Sequence, residues 1–73
     1  MDEFSWRADL VKTGINITHI DMANHLVYFD FAYRTHGARI WGKSVVKADS
    51  LNGLAIAVLL KDEVLALRKK LED

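Results

Sequence analysis

The segment Gly37-Ala38-Arg39-Ile40-Trp41-Gly42-Lys43-Ser44 satisfies the G-x-x-x-x-G-K-[ST] phosphate-loop pattern. That chemistry needs successive backbone N–H groups curled around phosphates, with a helix starting at the lysine. Here Ile40 and Trp41 sit in a strand-like alternation, and Val45-Val46 follow as further strand formers. A chain of 73 residues is also short for the parallel sheet and Mg²⁺ carboxylate of a nucleotide site. The segment therefore reads as a hairpin glycine leading into a strand.

Ser44-Val45-Val46-Lys47 matches the S-x-x-K of penicillin-recognising enzymes, which works at a helix start in a large domain with further motifs. None of those motifs is present, so the match is chance. His19, Asp21 and His25 are a minimal Zn²⁺ set if a hairpin brings the two imidazoles together. A packing contact between the histidines, or with Trp6, explains them as well, and two facing imidazoles would resist joint protonation. No metal or other cofactor is expected. Asn16-Ile17-Thr18 is a glycosylation sequon by pattern alone. Nucleophile, base and oxyanion donors cannot be assembled from these residues, so the expectation is a protein that is not an enzyme.

The more suggestive constellation is basic and aromatic. Residues 34–47 hold Arg34, Arg39, Lys43 and Lys47 without an acid, while the whole chain is formally neutral. If this stretch is a strand pair, one sheet face displays Tyr28, Arg34, Arg39, Trp41, Lys43 and Lys47, with Leu26 and Val45. Trp, Tyr and Arg are the favoured anchors of protein interfaces. The same mixture serves single-strand binders, where cations follow phosphates and rings stack on bases. It is also what a solvated sheet face rich in β-formers looks like. Neutral overall charge counts against a dedicated nucleic-acid binder, so the protein interface ranks first.

These residues need a scaffold. The chain makes one small α+β domain spanning 1–73, near the lower size limit for independent folding. It contains no cysteine, so disulfides and thiolate metal sites are excluded and self-association is the remaining staple. The longest apolar run, Leu54 to Leu60, is far below a membrane span. With Asp2 and Glu3 after Met1 in place of a secretory n-region, a cytoplasmic setting without membrane partners is expected.

Phe4, Trp6, Ala8 and Leu10 alternate with polar residues, which favours a first strand, with a helix over residues 3–12 as the alternative. Gly14 then turns the chain. Ile15 and Ile17 open a second strand, His25 to Arg34 form the strongest one, and Thr35-His36-Gly37 a tight hairpin turn. Ala38 to Val46 complete a four-stranded antiparallel meander. Placing Val27, Phe29, Phe31 and Tyr33 inward brings Ile40 and Val46 inward and Asp30 opposite Lys43. Matching Ile15 and Ile17 to Phe29 and Val27 puts His19 opposite His25; matching Leu10 to Ile15 turns Trp6 and Ala8 inward. A C-terminal helix capped by Asp49 or Ser50 covers this face, giving β-β-β-β-α.

That helix carries two opposed apolar stripes. Ile56, Leu60, Val64, Leu67 and Leu71 form one; Leu51, Leu54, Ala55, Val58 and Leu65 form the other. One covers the core and the second needs a partner, most simply another copy of the chain. The sequence thus points to a small binding or regulatory protein, an inhibitor, adaptor or accessory factor, that homodimerises and contacts a larger protein. Single-stranded nucleic-acid binding is the alternative.

The strand order resembles, in topology alone, the dimeric transcription-coactivator fold, which grips single strands on its sheet. That resemblance implies an oligonucleotide on the outer face and specifies no residue. The double-stranded-RNA-binding domain, laid out as helix, three strands and helix, needs a basic cluster at the start of its last helix. Ala48-Asp49-Ser50-Leu51-Asn52 does not supply it.

Overall fold

The computed structural model describes residues 5–73. Its elements are α1 (Ser5–Lys12), β1 (Ile15–Asp21), β2 (Leu26–Thr35), β3 (Ala38–Lys47) and α2 (Gly53–Leu71). The strands form an antiparallel sheet in the order β1-β2-β3. The architecture is α+β, with three strands where the sequence suggested four and a helix in place of the first strand. Phe4 lies outside the described residues.

The first segment is helical because Trp6 and Leu10, spaced i, i+4, meet the core together, while Val11 stays exposed. Ala8, which the strand reading turned inward, is exposed. Gly14 (φ 78°) then stops the helix, and the N–H groups of Thr13 and Gly14 return to Leu10 O and Val11 O, each at 3.0 Å. A left-handed glycine just past the last helical turn is a common C-terminal stop.

The β2–β3 hairpin has the anticipated register: Val27 pairs with Val46, Asp30 with Lys43, Tyr33 with Ile40 and Thr35 with Ala38. Its two-residue loop has left-handed φ at both His36 (52°) and Gly37 (76°). That is the type I′ geometry, whose twist matches the flanking strands.

The β1–β2 pairing differs from expectation by two residues. Ile15 lies opposite Phe31 and Ile17 opposite Phe29, and the register shifts between Ile17 and His19. Thr18 is the extra residue. The shift lets Ile15, Ile17 and Ile20 all face the core, which strict alternation would forbid. Together with the two-residue offset, it sets His19 opposite Tyr28 instead of His25.

The core lies between the sheet and the helices. Leu10, Ile15, Val27, Phe29, Phe31, Ala48, Ile56, Leu60 and Val64 are buried, with Trp6, Ile17, Ile20, Tyr33, Val46, Leu51, Leu59 and Leu67 packed around them. The N-cap of α2 is Asn52, not Asp49 or Ser50: its side chain accepts from Ala55 N at 2.9 Å. Gly53 follows because the Trp6 indole occupies the space of a side chain there.

Arg68 ties the far end of α2 down. Its Nε donates to Ala32 O and its Nη2 to Thr13 O, both at 2.8 Å, joining α2 to β2 and to the α1–β1 turn. The helix–three strands–helix order is the layout named above for the double-stranded-RNA-binding domain, and the start of α2 still lacks its basic cluster.

Candidate binding face of the sheet

Strand alternation puts Leu26, Tyr28, Asp30, Ala32 and Arg34 of β2 on the face away from the helices, beside Lys47, Val45, Lys43, Trp41 and Arg39 of β3. Trp41 is 54% exposed and Val45 45%, and Tyr28 is also exposed. Arg34, Arg39, Lys43 and Lys47 are exposed as well. The six residues singled out in the sequence therefore share one surface.

Two local arrangements shape it. The Arg39 guanidinium lies over the Trp41 ring, 5.4 Å from its centroid. Arg34 stands opposite Arg39 across the strands, a like-charge pairing that is unfavourable by itself. A third cation comes close: terminal nitrogens of Arg68 and Arg39 lie 3.1 and 3.4 Å from the same point beside Gly14. Ala32, Tyr33, Arg34, Arg39, Arg68 and Glu72 line an open hollow of about 360 Å³. Glu72 enters it while accepting a hydrogen bond from Arg34 N–H at 2.8 Å. Among the described residues no carboxylate forms an ion pair with Arg34, Arg39 or Arg68. The hollow thus concentrates positive charge beside an exposed indole.

β3 is the second feature. It runs ten residues at the edge of the sheet with unbroken pairing to β2. No residue of β3 is fully buried, and even inward-facing Ile40 is 40% exposed, because the helices sit over β1 and β2. The phosphate-loop pattern lies here, and the extended backbone of Ala38–Lys47 has none of the curl such a loop needs. Ser44 and Lys47 are in the same strand.

The histidines are kept apart. The His19 ring rests 5.8 Å from that of Tyr28, and His25 Nδ1 contacts Ala48 O at 3.0 Å. His25 is in the left-handed region (φ 56°) at the end of the β1–β2 turn. Asp21 closes that turn by accepting from the Asn24 side chain at 2.9 Å and its N–H at 3.2 Å. These bonds hold its carboxyl below the usual carboxylate range. Among the described residues no three His, Asp or Glu side chains are grouped to hold a metal.

On α2, Ile56, Leu60 and Val64 are buried and Leu67 packs against the core, while Leu71 is mostly outside it. Leu51, expected on the opposite stripe, precedes α2 and packs against the core; on that stripe Ala55 is partly covered, but Leu54, Val58 and Leu65 are 57–65% exposed. No helix among the described residues is long and apolar enough to cross a membrane.

Arg68 and Glu72 were not anticipated as part of the face. They reach it through the fold, from a helix distant in sequence, and no local pattern announces them. No family model matches the chain, and no match was found among curated proteins or solved structures.

Proposed function

We propose that this protein is a small, non-enzymatic binding protein, an inhibitor, adaptor or accessory factor, working through protein–protein contacts on the outer face of its sheet. The observation that carries the reading is Trp41, a large ring half exposed on an edge strand and flanked by Arg39 and Lys43, with the Tyr28–Val45 pair further along the same face. Aromatic and arginine side chains of this kind act as anchors because they bury large area at small entropic cost. A cytoplasmic setting suits a chain without cysteine.

A homodimer through α2 completes the proposal. Antiparallel packing of two exposed stripes sets Leu54 of one copy against Leu65 of the other, with Val58 against the stem of Lys61 between them, and a small domain gains the apolar burial it otherwise lacks. Single-stranded nucleic acid remains the second reading, favoured by the Arg39–Trp41 stack beside Arg34.

The deciding experiment replaces Trp41 and Lys43 together by Ala and compares cross-linked partners in native extract. Loss of a specific protein partner with an unchanged circular dichroism spectrum is expected; retention of every partner refutes the reading. Titration of a labelled oligonucleotide at low salt tests the alternative, which fails if nothing binds.

A further inference from the structure

We infer that β3 accepts an acidic, extended segment of another protein as a fourth strand of the sheet. The inference rests on the protein-binding reading and specifies the chemistry of the partner.

The backbone supplies the template. With a two-residue loop, Thr35 and Ala38 form the hydrogen-bonded pair that closes the hairpin, and such pairs then recur at every second residue. Ala38, Ile40, Gly42, Ser44 and Val46 thus direct their N–H and C=O groups towards β2. Arg39, Trp41, Lys43, Val45 and Lys47 direct theirs to the open side. The central strand agrees: Ala32 and Arg34, opposite Trp41 and Arg39, send their N–H groups away from β3, to Gly14 O and Glu72 Oε2, each at 2.8 Å. The edge has no proline and no bulge to blunt it. Its inward-facing positions carry no charge.

Charge selects the occupant. The residues with free backbone groups are also those whose side chains form the outer face, and three of them are cations. Asp30 faces Lys43 from β2, but Arg39 and Lys47 have no acid opposite them, and between Phe31 and Ala48 the chain has none. A second copy of β3 would set Arg39, Lys43 and Lys47 against the same charges at cross-strand distances of about 5 Å. Self-pairing is thereby opposed, and an acidic segment is favoured by the same residues. Along that face the cations recur at Arg39, Lys43 and Lys47, with Trp41 and Val45 between them. Half-exposed Ile40 on the inner side asks for aliphatic residues on the strand's other face. The matching ligand alternates acidic and aliphatic residues, in the strand-addition mode of recognition.

The test uses the intact protein and two probe peptides, one alternating Glu and Val, the other Lys and Val, with amide hydrogen exchange as the readout. In the free protein the Arg39, Trp41, Lys43 and Val45 amides should exchange much faster than those of Ile40, Gly42 and Ser44. The Glu-Val peptide should protect the first set, and binding should weaken about tenfold or more in Arg39→Glu/Lys47→Glu or at high salt. Equal binding of the Lys-Val peptide overturns the charge argument. Binding without protection of those amides overturns strand addition, as does their protection in the free protein. If the Glu-Val peptide fails to bind while Trp41→Ala/Lys43→Ala still abolishes partner capture, the inference falls and the broader binding reading stands.

Discussion

Gly53 offers a sharp test of the packing between the two helices. It is the first residue of α2, after the Asn52 cap, and replacing glycine by alanine in a helix ordinarily stabilises by up to ~1 kcal/mol. Here a Cβ would stand 2.6 Å from Trp6 Cδ1 and 2.7 Å from Cε2, and closer still to Nε1. The indole must move, and overpacking of this kind costs ~1–3 kcal/mol. The expected net effect of Gly53→Ala is a loss of about 0.5–2 kcal/mol. In a Trp6→Ala background the obstacle is gone, and Gly53→Ala should become neutral or stabilising. The double-mutant cycle should give a coupling of roughly 1–3 kcal/mol. Urea unfolding followed by far-UV circular dichroism measures all four proteins. A stabilising Gly53→Ala in the native background, or the same effect in both, would refute the placement of Trp6 under α2.

Arg68→Ala removes two charge-assisted hydrogen bonds to backbone carbonyls and should cost about 2–3 kcal/mol, with Arg68→Lys restoring at most part; urea midpoints report it. At the β2–β3 turn, Gly37→Ala should lower stability by ~1–2 kcal/mol, whereas His36→Asn should raise it by a few tenths, because only the former adds a Cβ at positive φ. Asp21 has a folded-state pKa below its unfolded value, so its contribution is present above the ordinary carboxylate range and is lost as pH falls through the lowered pKa. Unfolding midpoints between neutral and acid pH should show that fall, and Asp21→Asn should flatten it; an identical pH profile would remove Asp21 from the account.

The β2–β3 hairpin was legible because several independent signals agree on it: alternating Val, Tyr and Phe, a glycine where a two-residue loop needs positive φ, and a cross-strand Asp30–Lys43 pair. The two stripes of α2 were legible for a similar reason, a long and regular period. The N-terminal segment was ambiguous because Trp6 and Leu10 satisfy both a period of two and an i, i+4 spacing. What decided it was tertiary: Trp6 fits against the bare backbone at Gly53. The β1–β2 pairing is offset by two residues from Ile15 onward, and the Thr18 irregularity adds one more, which carries His19 away from His25. Of the candidate face, the strand residues were readable from alternation, while Arg68 and Glu72 arrive by long-range packing that no local spacing encodes.

Thr18 also gives the sheet two unlike borders. On β1 the ladder is short and dislocated at that residue, while on β3 it is straight from Ala38 to Lys47. A molecule with two matching borders could join others end to end into a fibre. If β3 accepts a strand as inferred, addition stops after a single step, because the dislocated β1 border does not match it. For the inferred strand addition alone, the fold is a terminator of valency one.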